Sequence, residues 1–157
     1  MVVESILAVV DGRPVLLSEV LVVERVTGQD RERALEALID ERLMFREAAR
    51  LPQAAVSPDE EEKALASLRA RAAGPLDGLP ERELRQLARR QVAILKYVEY
   101  RFRPQVRVDP ATPPEERERR GEEDLRERIE AWVKELRAGA EVRYNVAPPP
   151  ATARRGR

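Results

Sequence analysis

Two distant stretches decide the fold: VVESILAVVDGRPVLLSEV at residues 2–20 and EDLRERIEAWVKELRAGAEVRYN at residues 123–145. The first predicts a β-hairpin that runs into a helix, because apolar residues flank Asp11-Gly12, a pair typical of tight hairpin turns. The second predicts an amphipathic helix followed by one short strand. A lone strand needs a partner, so we expect the two ends of the chain to meet in one small antiparallel sheet.

Between these ends the sequence predicts helices separated by proline and glycine. Ser57-Pro58 followed by Glu60 is a complete start signal, with an N-cap, a proline at the first helical position and a capping-box glutamate. Ser18, Asp30 and Thr112 are further candidate N-caps. The fold class is therefore mainly α, a five-helix module with a small sheet made by the N-terminal hairpin and the C-terminal strand. The predicted helices cover about 18–26, 34–51, 58–73, 80–102 and 113–139.

The domain organisation follows from length and proline content. A chain of 157 residues favours one domain, which we assign to residues 1–146. A proline-rich linker at 104–114 divides it into an N-terminal part, 1–103, and a C-terminal helix and strand, 115–146. The tail at 147–157 contains three prolines and three arginines and is predicted to be disordered.

The composition argues against several classes of function. With 29 basic and 29 acidic residues the chain has no net charge, which argues against nucleic acid as the main partner. It contains no Cys and no His, so thiolate metal sites and histidine-based catalysis are absent. It has no phosphate-binding glycine loop and no apolar run as long as a membrane span. The sequence therefore predicts a protein that is not an enzyme, with no catalytic residues, no cofactor and no metal.

Four segments together resemble the SurA-type periplasmic chaperones. They are the AVV–turn–LSEV start, the helix ALIDERLMFREAARL at 37–51, the helix start VSPDEEEKALASL at 56–68 and the closing EAWVKELRAGAEVRY at 130–144. Their order along the chain matches the family over residues 2–145. In that family parvulin-type prolyl isomerase domains are inserted between the N-terminal helices and the C-terminal helix. Here the linker at 104–114 stands in their place, and the absence of His agrees with the loss of isomerase activity.

The resemblance implies an ATP-independent holdase of the periplasm, whose signal peptide is not present in this chain. Such a module binds unfolded outer-membrane or secreted polypeptides in an apolar groove, without nucleic acid or membrane insertion. A second hypothesis stays open: a structural or assembly module that binds one fixed partner or itself. In that case a homodimer could form by exchange of the C-terminal strand across the proline-rich linker.

The candidate client-binding residues lie on three of the predicted helices. Tyr97 and Tyr100 lie off the apolar stripe of the fourth helix, and Met44 has a flexible side chain suited to a promiscuous surface. Leu65 and Leu68 lie on a short amphipathic helix. The stripe residues of the fourth helix are Leu84, Leu87, Gln91, Ile94, Leu95, Val98 and Phe102. Phe102 is predicted to be core, and the stripe leaves open which of the others fill the core and which line the groove.

Overall fold

Five helices and three short strands make up residues 5–145, the part of the chain that the computed structural model describes. This arrangement confirms the predicted mainly α class with a small antiparallel sheet. The predicted disordered tail at 147–157 lies outside the described residues. The elements are β1 (Ile6–Val10), β2 (Arg13–Leu16), α1 (Leu17–Thr27), α2 (Arg31–Ala48), α3 (Pro58–Arg71), α4 (Glu81–Arg101), α5 (Pro114–Ala138) and β3 (Val142–Tyr144), with short 3₁₀ turns at Pro52–Ala54 and Arg103–Gln105.

The sheet joins the two ends of the described chain, as predicted. Its strand order is β2-β1-β3, and β1 pairs antiparallel with both neighbours. Asp11 and Gly12 both have positive φ angles, 47° and 82°, which is the backbone of a tight hairpin turn. The Asp11 amide donates to the Glu141 carbonyl at 2.8 Å, and the Glu141 amide donates to the Asp11 carboxylate at 2.7 Å. One turn residue therefore closes the hairpin and holds the entry of β3.

The hydrophobic core contains residues from β1, β2 and the first four helices, while α5 joins it through a second cluster. In that cluster Trp132 of α5 stacks on Tyr97 of α4, with ring centroids 4.9 Å apart, and Phe102 lies 5.2 Å from the same ring. Leu136 and Val142 connect the end of the chain to the main core. The largest buried side chains of the main core include Leu38, Ile39, Leu43, Leu68, Leu84 and Leu87.

The helix starts confirm two of the predicted N-caps and correct two others. The Ser57 hydroxyl and the Glu60 carboxylate form the reciprocal capping box, and Asp30 accepts from the Arg33 amide at 2.9 Å. Ser18 is wrong as an N-cap, because β2 continues directly into α1 and Leu16 occupies that position. Thr112 is also wrong, because Pro113 takes the cap position of α5.

The proline-rich linker is attached to α5 along part of its length. Val106 and Val108 lie over Gly121, a buried residue of α5 at which an added Cβ would come within 3.7 Å of each valine. The Arg107 amide donates to the Asp124 carboxylate at 3.1 Å. These contacts hold the connection between α4 and α5 against α5, the second of the two helices that it joins.

Candidate functional site

A groove of about 400 Å³ lies between α2, α4 and α5, and we call it the apolar groove. Three helices form it because α5 packs on α2, and side chains of α4 and α5 meet in the cluster that contains Val98, Leu125 and Trp132. The apolar side chains that line it are Met44, Ile94, Leu95, Val98, Leu125 and Ile129. Glu41, Gln91, Glu99, Arg103 and Glu122 complete its lining.

Leu95 is the most exposed apolar side chain of this groove, with 60% of its surface open to solvent. Leu95 is a residue of the predicted apolar stripe that the structure leaves outside the core. The 3₁₀ turn at Pro52–Ala54 packs against α4 and buries Ala93. Leu95 lies on a different side of α4, at the apolar groove, where most of its side chain is open to solvent. Leu95 and the half-buried Met44, Ile94 and Ile129 leave apolar surface open at the groove.

The charged residues around the apolar groove are paired with one another. Arg103 binds Glu99 at 2.9 Å and also pairs with Glu122. Glu41 pairs with Arg90 at 2.7 Å, and both side chains are mostly buried. Because these charges already have partners, the groove offers an incoming ligand mainly apolar contact.

The Glu41–Arg90 pair separates the apolar groove from the opposite side of the α2–α4 contact. Burial raises the pKa of Glu41, and the neighbouring Arg90 guanidinium opposes that effect. Each charge of such a buried pair needs the other, because either charge left alone would be poorly solvated.

A second, more open depression of about 570 Å³ extends the apolar groove along α5. Ile129 lines both depressions, and Val133 continues the apolar surface. Arg137 closes the far end, where it binds Asp40 at 2.6 Å and Glu36 at 2.9 Å. The two depressions therefore share Ile129 as a common wall.

Of the five predicted client-binding residues, only Met44 lines the apolar groove. Leu65 and Leu68 are wrong, because they are 4% and 0% exposed and belong to the main core, where the inner face of α3 packs. Tyr97 is half-buried against Trp132 and does not line the groove. Tyr100 is 52% exposed, and its hydroxyl accepts a hydrogen bond from the Gln53 amide outside the groove.

Sequence reasoning missed most of the groove because its residues belong to apolar stripes. Ile94, Leu95 and Val98 belong to the apolar stripe of α4, and Leu125 and Ile129 are apolar residues at helical spacing in α5. A helical period identifies the apolar face of each helix. It does not show that two such faces leave a gap between them.

Within residues 5–145, no three His, Cys, Asp or Glu side chains are arranged to hold a metal ion. In the same range, no helix combines the length and apolar character needed to cross a membrane. Every buried side-chain nitrogen and oxygen in the described part of the chain has a hydrogen-bond partner.

Comparison with known proteins assigns neither a family nor a function to this chain. The sequence matches no protein-family model, and it matches no curated protein. The resemblance to the SurA-type chaperones therefore stays a prediction.

Proposed function

We propose that this protein is an ATP-independent chaperone that holds unfolded polypeptides in the apolar groove. The observation that carries the proposal is an open apolar surface, centred on Leu95, whose surrounding charges are already paired. We further propose that its clients are outer-membrane or secreted chains, that it acts in the periplasm and that it has no prolyl isomerase activity. These finer assignments rest on the resemblance described above.

The chemistry of the groove favours broad rather than selective binding. Apolar contact is not directional, and burying one leucine-sized side chain contributes about 1.5–3 kcal/mol. Met44 adds a flexible thioether that adapts to different side chains. Binding surfaces of this kind accept many sequences because they do not demand one hydrogen-bond pattern.

An extended polypeptide fits the groove better than a compact ligand. Ile129 lines both depressions, so successive side chains of one chain can occupy both. Val133 gives the second depression further apolar surface, and its other lining residues are charged. A holdase of this type needs no nucleotide. It lowers the free concentration of aggregation-prone chains by mass action, in proportion to its own concentration and affinity.

The test is suppression of aggregation of an unfolded outer-membrane β-barrel protein at equimolar ratio, with no nucleotide added. The wild-type protein should suppress light scattering, and Leu95→Asp should lose most of that effect. Tyr100→Asp is the matched control, because it places the same charge on the same helix at an exposed aromatic outside the groove. Circular dichroism should show both variants folded.

Two outcomes would overturn the proposal. If the folded wild-type protein leaves aggregation unchanged, the groove is not a holdase site. If light scattering shows a concentration-dependent dimer that Leu95→Asp abolishes, the groove belongs to self-assembly. The alternative of a module with one fixed partner or with itself would then be favoured.

A further inference from the structure

A second cavity, of about 520 Å³, lies between the β-hairpin, α2 and α4, and we call it the arginine pocket. It is distinct from the apolar groove and has no part in the function proposed above. Five arginines and a single glutamate line it, in a chain with no net charge. These residues are Arg13, Glu19, Arg42, Arg46, Arg89 and Arg90.

Two of these arginines have structural roles. Arg42 pairs with Glu19 and donates to the Pro14 carbonyl at 2.8 Å, which ties α2 to the hairpin. Arg90 is held by Glu41 in the pair that divides the pocket from the apolar groove. Both side chains are largely buried and committed to these partners.

The other three arginines keep donors available at the pocket. Arg46 uses one nitrogen for Asp11, at 2.6 Å, and Arg89 uses one nitrogen for Glu61, at 3.3 Å. The Arg13 side chain has no hydrogen-bond or ion-pair partner among the described residues 5–145. Because a guanidinium has five N–H donors, these side chains can bind an additional anion.

The pocket also has an apolar wall, which narrows the class of anion. Val10 and Leu43 are buried there, Phe45 is half-buried, and Ala49 completes the surface. A small inorganic anion would contact the arginines and leave this wall unused. A ligand whose carboxylate is attached close to an apolar group contacts both.

We propose that the arginine pocket binds the C-terminal carboxylate of a polypeptide whose last side chain is apolar. In that terminal residue the carboxylate and the apolar side chain are attached to one carbon, so a single residue reaches the guanidinium groups and the apolar wall together. Arginine forms paired hydrogen bonds with a carboxylate more readily than lysine does. The assignment is independent of whether the apolar groove binds unfolded clients.

The test is fluorescence anisotropy with a labelled octapeptide of neutral residues that ends in Phe with a free carboxylate. The same peptide with a C-terminal amide should bind about tenfold more weakly, since it lacks the charge that the arginines recognise. Arg13→Gln and Arg89→Gln should each weaken binding of the free acid by about tenfold. Arg82→Gln is the matched control, because Arg82 lies exposed on α4, outside the pocket and without a side-chain partner in residues 5–145.

Competition identifies the source of the carboxylate. Unlabelled free-acid peptide should displace the probe, while decanoate and inorganic phosphate at the same concentration should not. Equal affinity for acid and amide, or binding unchanged in Arg13→Gln and Arg89→Gln, would overturn the proposal. Displacement by decanoate or phosphate with at least equal affinity would also overturn it, in favour of a fatty-acid or simple anion site. Circular dichroism of each variant separates lost binding from lost folding, and Arg13, which has no partner to lose, provides the cleanest variant.

Discussion

The apolar groove and the arginine pocket lie on opposite sides of the α2–α4 contact and differ in how their charges are used. Around the groove, each charged side chain has a partner, and the open surface is apolar. In the pocket, arginines outnumber the lining acid, and Arg13 has no partner within residues 5–145. The two sites have similar volumes, so the pairing of their charges distinguishes them. Paired charges leave a surface suited to many ligands, and arginines with donors still available suit a defined anion.

The largest effect is expected at the pair that divides the two sites. Arg90→Leu should lower the free energy of unfolding by about 3–5 kcal/mol, because it leaves the buried Glu41 carboxylate uncompensated. The double variant Glu41→Leu/Arg90→Leu should recover most of that loss, since an apolar pair of similar volume needs no charge compensation. Urea unfolding measures both. Equal losses in the single and double variants would contradict an electrostatic origin.

A second prediction contrasts the groove with the core. Leu68→Ala should cost about 2–5 kcal/mol of unfolding free energy, because it opens a cavity at a fully buried position. Leu95→Ala should change stability by less than about 1 kcal/mol, because that side chain is mostly exposed. The measurement is chemical denaturation of both variants. A large loss at Leu95 would show that this residue supports the fold, and the groove would then lose its exposed centre.

Salt should affect binding at the two sites differently, with a smaller effect than the substitutions above. Raising NaCl from 50 to 500 mM should weaken binding of the free-acid peptide severalfold, because screening reduces attraction between the arginines and a carboxylate. Aggregation suppression through the groove should hold or improve, since salt does not screen apolar contact. Anisotropy and light scattering in matched buffers give the comparison. Parallel weakening of both activities would mean that the groove also depends on charge.

The smallest effect is expected at Glu60, whose contribution to stability should depend on pH. Hydrogen bonds from Lys96 and from the Ser57 backbone lower the pKa of Glu60 to about 2, from an ordinary value of 4.5. The resulting stabilisation is present above pH 4.5 and is lost as the pH falls towards 2. The difference in unfolding free energy between wild type and Glu60→Gln should therefore shrink across that interval. A difference that stays constant from pH 6 to pH 2.5 would contradict the assignment.

Local signals predicted much of the fold because they act over a few residues. Asp11-Gly12 has the positive φ angles that its turn requires, and Ser57 and Glu60 form the expected capping box. The predictions for Ser18 and Thr112 failed at element junctions. There a strand or a proline already occupied the cap position, and a residue's cap preference did not decide the boundary.

The candidate site was much less predictable. A helical stripe shows which face of α3 or α4 is apolar, but Leu68 became core while Leu95 became exposed. Ala88 and Val98, on the same side of α4 as Leu95, are buried, and Leu95 is left exposed at the groove between α2, α4 and α5. Tyr97, predicted as a client contact, stacks on Trp132, which lies 35 positions away in the printed sequence.

By itself the sequence determined the mainly α class, the hairpin and the five helices, because turn geometry and periodicity are local properties of the chain. It also determined that the two chain ends meet, because a lone C-terminal strand needs a partner. Only the tertiary structure decided which apolar residues remain open and which arginines converge. Those outcomes depend on how α2, α4, α5 and the hairpin pack together. Arg13 and Arg89, 76 positions apart in the sequence, line one pocket for that reason.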